Sequence, residues 1–226
     1  MTLPDLAPLW LTLKLAALVS ALLLVIATPL AWWLARSRAR LVPLIEALTA
    51  LPLVLPPTVI GFYLLIAFRP DAPFGAFWMR LTGDTLTFSF AGLVLASLIY
   101  SLPFAVQPLQ TAFTSLGSGP MEAAASLRAG PLAAFLTVAL PLSARGYLTA
   151  AVLTFAHTLG EFGVVLMVGG NIPGETRVIS IAIYEQVERI DYAAAHILSG
   201  LLLVLSFTIL LILYGLNARA ARHDRA

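Results

Sequence analysis

Five long stretches of this 226-residue chain consist almost entirely of apolar side chains, and short polar segments separate them. A helix needs about 20 apolar residues to cross a lipid bilayer, and each stretch meets that length. The pattern therefore predicts an all-α fold, a polytopic membrane protein with about five transmembrane helices. The stretches are residues 9–34, 46–68, 88–113, 143–169 and 193–216.

The composition narrows the function classes. Hydrophobic residues make up 60% of the chain and charged residues only 11%, which excludes an ordinary soluble enzyme and a disordered regulator. The net charge is +2 and the arginines are scattered, so there is no basic stripe for nucleic acid. The absence of cysteine excludes disulfides and thiolate-ligated metals. Without a repeat or a long linker, residues 1–226 read as a single transmembrane domain in a lipid bilayer.

The distribution of arginine predicts the orientation. Arg36, Arg38 and Arg40 follow the first span instead of preceding it, so this span is not read as a cleavable signal peptide. By the positive-inside rule, the cluster places the end of the span in the cytoplasm. The other segments on that side are also rich in arginine, whereas the opposite segments are rich in Asp and Glu. We expect a multi-pass protein of the cell (inner) membrane with its N-terminus outside and its C-terminus in the cytoplasm.

The second span contains Pro52, Pro56 and Pro57. Each proline removes a backbone donor, so the three are expected to kink or break the helix. Broken backbone within a bilayer is tolerated only where it is buried in protein or lines a cavity. The motif is therefore either a packing kink or part of a translocation path, and we favour the path.

The segment at residues 114–142, predicted to be a cytoplasmic loop, is the most distinctive part of the sequence. Pro120 is expected to open a short helix, with Glu122 in its first turn, where a carboxylate suits the helix dipole. Residues 123–127 are good helix formers, and the Gly-Pro pair at 130–131 is expected to end the helix. Such a helix at the cytoplasmic surface is either a knob for another protein's groove or a plain amphipathic interfacial helix.

This segment resembles the EAA loop of ABC-importer permeases, in which Glu-Ala-Ala is followed by a glycine and then by Leu-Pro. Glu-Ala-Ala at 122–124 and Leu-Pro at 140–141 match without a gap, whereas Arg128 stands where the family has its glycine. The resemblance implies a type I ABC importer permease fold and a loop that docks on an ATPase. The residues implied in that contact are Glu122, Ala123, Ala124, Ala125, Leu127, Arg128, Gly130, Leu140 and Pro141.

Four further stretches resemble the permeases of molybdate importers: residues 29–36, 51–61, 160–163 and 171–177. The Gly-Glu-Phe-Gly element is shared with sulfate and thiosulfate permeases, so it indicates a tetrahedral oxyanion. The stretch at 171–177 favours molybdate. The resemblance implies a second copy of the chain, an ABC ATPase dimer that binds ATP and Mg, and a periplasmic or extracellular oxyanion-binding protein. The loop residues implied to face that binding protein are Asn171, Pro173, Gly174, Glu175 and Arg177.

His157 and Glu161 are one helical turn apart in the fourth predicted span, so they are expected on one helix face. Ionisable side chains within a membrane indicate a functional site. Two such ligands are too few for a metal, and no metal or cofactor is expected in the chain. A hydrogen bond that fixes the helix or the gate is favoured over a proton relay. The expected gate residues are Pro52, Pro56, Pro57, His157, Gly160, Glu161, Phe162 and Gly163.

The energy source separates the remaining hypotheses. The chain has a single lysine and no P-loop, so it cannot cradle nucleotide phosphates in that way. The favoured function is the permease subunit of an ATP-driven importer of molybdate, with tungstate as a second possible ion and a sulfate or thiosulfate permease as the alternative. A proton-coupled secondary transporter is the second class. An intramembrane hydrolase lacks its catalytic constellation, and we expect no catalytic residue and no enzyme activity in this chain.

Overall fold

The computed structural model describes residues 5–223, and these residues are almost entirely helical, with no strand among them. The helices are α1 Ala7–Arg36, α2 Val42–Val54, α3 Pro57–Phe68, α4 Pro73–Thr82, α5 Phe90–Leu116, α6 Gly119–Ser126, α7 Pro131–Leu142, α8 Ala144–Gly160, α9 Gly163–Gly169, α10 Ile179–Glu188 and α11 Tyr192–His223.

Three of these helices are long and apolar enough to cross a membrane by themselves: α1, α5 and α11. Two further spans are possible if each of two bent helix pairs counts as one. The pair α2 and α3 is bent by 111°, and the pair α7 and α8 is bent by 71°. The prediction of an all-α membrane protein with about five spans is therefore confirmed.

The core lies where α1, α5 and α8 pack together. Leu15, Val19 and Leu23 of α1 and Leu109 of α5 are almost completely buried in it. Polar side chains also join the helices. On α1, Thr28 Oγ1 is hydrogen-bonded to Tyr147 Oη of α8 at 2.9 Å. These contacts hold α1, α5 and α8 together as the packed centre of the protein.

The break in the second span lies at Pro56 and Pro57, and Pro52 remains inside α2. This corrects the expectation that all three prolines break the helix. A proline drives the residue before it toward extended backbone, and two consecutive prolines do so twice. Leu55 and Pro56 are both extended, with ψ of 138°. Pro52 alone costs α2 only one backbone hydrogen bond, which the helix tolerates.

The fourth predicted span is also divided, although the sequence suggested one helix through residue 169. Helix α8 ends at Gly160, Glu161 is extended with φ −68° and ψ 136°, and α9 begins at Gly163. The Glu161 side chain caps α9 instead of continuing α8, and this capping is the physical reason for the break. His157 and Glu161 therefore do not lie on one helix face, contrary to the prediction.

The short helix α6 begins at Gly119 with Glu122 in its first turn, as expected, but it ends at Ser126. The Arg128 amide donates to the Ala125 carbonyl at 2.9 Å, and the Ala129 amide donates to the Ala124 carbonyl at 3.0 Å. These two bonds form a Schellman motif, with Arg128 at the left-handed position, φ 60°. The prediction that the Gly-Pro pair at 130–131 ends this helix is wrong, since that pair starts α7.

Candidate functional site: a helix elbow, a short helix and the loop at 171–177

The two broken spans meet through glycines. A Cβ on Gly61 of α3 would lie 2.7 Å from the Met167 Cβ of α9, and a Cβ on Gly163 would lie 2.6 Å from the Pro57 Cβ. Such distances are too short for real side chains, so glycine is required at both positions if the helices are to keep this separation. Small residues allow membrane helices to approach closely, and here they join the half-helices α3 and α9 into one packed unit.

Glu161 and Phe162 form the elbow between α8 and α9. Glu161 is only 5% exposed, and its Oε1 accepts a hydrogen bond from the Val164 amide at 2.9 Å. The Glu161 carbonyl accepts a bond from Ser180 Oγ at 2.6 Å, which ties the elbow to the first turn of α10. Oε2 is buried without a partner among the described residues. Glu161 thus connects three helix ends: it follows α8, its carboxylate caps α9, and its backbone carbonyl binds α10.

His157 is anchored to α5. Its Nδ1 and Ser101 Oγ are hydrogen-bonded at 2.9 Å, and Ser101 Oγ also contacts Thr158 Oγ1 at 3.2 Å. The imidazole stacks on Phe104, with ring centroids 4.0 Å apart, and lies at a tilt to Tyr100 at 4.9 Å. No hydrogen bond joins His157 to Glu161 in the part of the chain described, so each has a separate set of partners.

A cavity of about 630 Å³ opens beside the elbow and is lined by residues of both broken spans. It brings together most of the predicted gate residues, but Pro52 and Pro56 do not line it. Its lining also includes Thr58 and Tyr100, which sequence reasoning missed because isolated polar side chains in apolar helices carry no motif. The predicted gate residues on the cavity are Pro57, His157, Gly160, Glu161, Phe162 and Gly163.

A second cavity of about 430 Å³ lies farther along α5 and α8, toward the arginine-rich side of the chain. Gln107 and Thr111 of α5 and Arg145 and Thr149 of α8 line it. Because α5 and α8 also line the first cavity, both cavities lie on the same pair of helices. Apart from these four polar side chains, the lining of the second cavity is mostly apolar.

Helix α6 presents a small exposed surface. Glu122, Ala123 and Ala125 are exposed, and Leu127 beyond its end is 85% exposed, whereas Ala124 is buried at 6% exposure. The chain enters α6 through Gly117, φ 67°, and leaves it through Arg128, φ 60°. Leu140 and Pro141 lie in the last turn of α7.

The loop at residues 171–177 is held by hydrogen bonds and ion pairs centred on Glu185, which the sequence did not single out. The Asn171 side-chain Nδ2 donates to Glu185 Oε2 at 3.2 Å, and Arg177 Nε donates to Asn171 Oδ1 at 2.6 Å. Glu185 also pairs with Arg177 at 3.3 Å and with Arg189 at 2.5 Å. The fully buried Thr176 accepts from the Ile172 amide at 3.1 Å.

The remaining predicted loop residues, Pro173, Gly174 and Glu175, are exposed at the tip, and Gly174 has φ 79°. The tip is therefore accessible to another molecule, while the network at its base fixes the loop. Glu185 is the hub of that network. Sequence alone does not distinguish it from Glu188, the second acid of the same helix, α10.

Comparison with known proteins identifies the chain. Residues 27–223 match the model of a family described as the binding-protein-dependent transport system inner membrane component. The chain belongs to this family. Its members are transport permeases, so the chain is a transport subunit and a multi-pass membrane protein.

Individual relatives agree with this assignment. The chain is 57% identical to the molybdenum transport system permease protein ModB of Azotobacter vinelandii over 93% of each chain. It is 33% identical to the sulfate transport system permease protein CysT of Salmonella typhimurium, over 87% of this chain and 69% of that protein. The resemblance to molybdate permeases is therefore confirmed, and the sulfate alternative is the more distant match.

The fold of this family member agrees with a solved structure of the inward-facing MetNI methionine ABC transporter. The TM-score is 0.71 at 18% sequence identity, and the match covers 92% of each chain. At this identity the likeness concerns the fold alone. It confirms the type I ABC importer permease fold that the sequence implied.

Proposed function

We propose that this family member is the permease subunit of an ATP-driven importer of molybdate, with tungstate as a close chemical analogue. The assignment of molybdate as the substrate is supported by the 57% identity to a molybdenum transport permease across 93% of both chains. The lower identity of 33% to a sulfate permease places the sulfate alternative second.

ATP hydrolysis belongs to a separate ABC ATPase dimer, which binds the nucleotide and Mg, because this chain has no P-loop. The dock is the exposed surface formed by Glu122, Ala123, Ala125 and Leu127 around α6. What supports this role is the exposure of Leu127, 85%, on a helix that is too short to be stable alone in water. Together with the exposed Ala123 and Ala125, Leu127 forms a small apolar surface that a groove on a partner would cover.

Two copies of the chain form the pathway, and in each copy the two cavities along α5 and α8 are part of it. Glu161 is a structural residue here and does not bind the anion. Two unit charges about 4 Å apart interact by about 4 kcal/mol at an effective dielectric of about 20, and a dianion doubles that repulsion. The capping bond from the Val164 amide to Glu161 Oε1 supports this structural role.

An oxyanion-binding protein delivers the substrate to the external loop, at the exposed tip formed by Pro173, Gly174 and Glu175. This assignment requires the N-terminus to lie outside and the C-terminus in the cytoplasm. The arginine cluster at residues 36–40 supports that orientation, since it lies on the same side as α6.

Substrate selection is tested in proteoliposomes that contain the chain, its ATPase and its binding protein. Uptake of labelled molybdate is measured with unlabelled tungstate or sulfate as competitor. We expect tungstate to compete strongly and sulfate to compete weakly. Uptake of labelled sulfate that exceeds uptake of molybdate would replace this proposal with the sulfate alternative.

A further inference from the structure

A single tryptophan contacts both chain segments that flank α6. Trp32, near the cytoplasmic end of α1, lies edge-to-face against Phe113 with ring centroids 5.1 Å apart, and against Phe135 at 5.0 Å. Phe113 belongs to the last turn of α5, just before α6, and Phe135 belongs to α7, just after it. We name Trp32, Phe113 and Phe135 the aromatic cluster.

Arg36, one helical turn beyond Trp32, adds a second connection. Its guanidinium carbon lies 3.9 Å from the centroid of the Trp32 ring, within the range of a cation–π contact. The same guanidinium donates a hydrogen bond to the Gly117 carbonyl at 3.3 Å. Gly117 is the left-handed residue through which the chain passes from α5 into α6.

The aromatic cluster is also joined to the packed core. Phe113 is 1% exposed and lies edge-to-face with Tyr147 of α8, with centroids 6.1 Å apart. Tyr147 Oη is in turn hydrogen-bonded to Thr28 of α1. Phe135 lies in a π-helical turn at residues 135–139, a wider turn that is often found at functional positions.

We propose that Trp32 and Arg36 are positioning residues that transmit motion of α6 to the membrane helices, an inference that rests on the proposed docking of an ATPase on α6. Helix α6 is eight residues long, is flanked by two left-handed residues, and is joined through these flanks to α5 and α7. The aromatic cluster and Arg36 hold both of its flanks against α1. A displaced α6 must therefore move α1, or these contacts must break.

Two variants break the link and two neighbouring variants serve as matched controls. Trp32→Leu removes the ring that bridges the flanks, and Arg36→Gln removes the charge above it. Trp33→Leu and Arg38→Gln change the same residue types on the exposed face of the same segment. Each variant is purified with the ATPase and the binding protein, and three quantities are measured: ATPase co-purification, basal hydrolysis, and stimulation by the molybdate-loaded binding protein.

We expect Trp32→Leu and Arg36→Gln to retain the ATPase and to lose about fivefold to tenfold in stimulation, which is about 1.0 to 1.4 kcal/mol of coupling free energy. Trp32→Phe and Arg36→Lys should recover part of it, because they keep an aromatic ring or a charge. Phe135→Leu gives the same test if Trp32→Leu does not fold. Full stimulation in these variants, or an equal loss in the two controls, would overturn the proposal.

Failure of the docking proposal has a different signature. Leu127→Glu places a charge on the exposed dock without touching the aromatic cluster, and it should abolish ATPase co-purification. If Leu127→Glu retained the ATPase, the docking surface would be wrong. If Trp32→Leu and Arg36→Gln lost the ATPase while Trp33→Leu kept it, the cluster would build the dock itself, and its transmitting role would be overturned.

Discussion

Gly163 of α9 lies against Pro57 of α3 so closely that a Cβ on Gly163 would stand 2.6 Å from the Pro57 Cβ. Each residue begins the helix that follows a break, so this contact sets how the two broken spans meet. Both residues also line the cavity of about 630 Å³. The shape of the cavity therefore depends on the absence of one side chain.

The first prediction compares two glycines of the same motif. Gly163→Ala should lower the free energy of unfolding by about 1 to 3 kcal/mol, because the new methyl group overpacks the contact with Pro57. Gly160→Ala should be tolerated, since no heavy atom of the described residues lies within 4 Å of the position that its Cβ would occupy. Thermal unfolding in detergent and molybdate uptake report the two effects, and equal behaviour of the two variants would contradict the packing argument.

The second prediction separates hydrogen bonding from charge at Glu161. Glu161→Gln keeps an oxygen that accepts from the Val164 amide, whereas Glu161→Ala removes it, at a typical cost of about 0.5 to 2 kcal/mol for a lost cap. We expect substantial uptake in the Gln variant. In the Ala variant uptake should be lost and ATP hydrolysis should no longer be matched to transport. Two equally inactive variants would show that the charge itself is needed and would favour a proton relay or an ion pair.

The third prediction concerns Arg128, which stands where the family of ABC-importer permeases has glycine. Its φ of 60° explains the family preference, since left-handed backbone costs a residue with a Cβ roughly 1 to 2 kcal/mol. Arg128→Gly should therefore raise the free energy of unfolding and retain transport. Leu127→Gly, at φ −84°, is the matched control and should bring no such gain. A destabilised Arg128→Gly protein would mean that the arginine side chain has a role of its own.

The fourth prediction concerns orientation and uses the absence of cysteine. Pro173→Cys lies at the exposed tip of the loop at residues 171–177, and Ala39→Cys lies in the exposed segment after α1. In intact cells, an impermeant thiol reagent should label the first and spare the second, and permeabilised cells should label both. Labelling of Ala39→Cys in intact cells would reverse the topology.

Much of the fold could be predicted because apolar length and the positions of proline are strong signals in a membrane protein. The break at Pro56 and Pro57 was visible in sequence. The break at Glu161 was not visible, because Glu161 ends one helix and caps the next by accepting a hydrogen bond from the Val164 amide three residues later. A capping bond of this kind leaves the hydrophobic pattern of the sequence unchanged, so the pattern does not reveal it.

The candidate sites divide in the same way. The short helix that carries Glu122 could be predicted from Pro120 and the following alanines. Its end depends on the left-handed backbone of Arg128, which could not be predicted because arginine has no preference for that conformation. Sequence placed Asn171 and Arg177 on one loop, whereas their shared partner Glu185 lies on the next helix. Contacts that join distant elements, such as that between Trp32 and Phe135, need the folded structure.

The proposed function is tested most directly by measuring which energy source drives molybdate uptake. Proteoliposomes that hold the chain with its ATPase are loaded with ATP or with a non-hydrolysable analogue, and labelled molybdate is added together with the binding protein. We predict uptake only with ATP, and none by the chain alone under an imposed proton gradient. Uptake by the chain alone, driven by the proton gradient without ATP, would contradict the account and establish a secondary transporter.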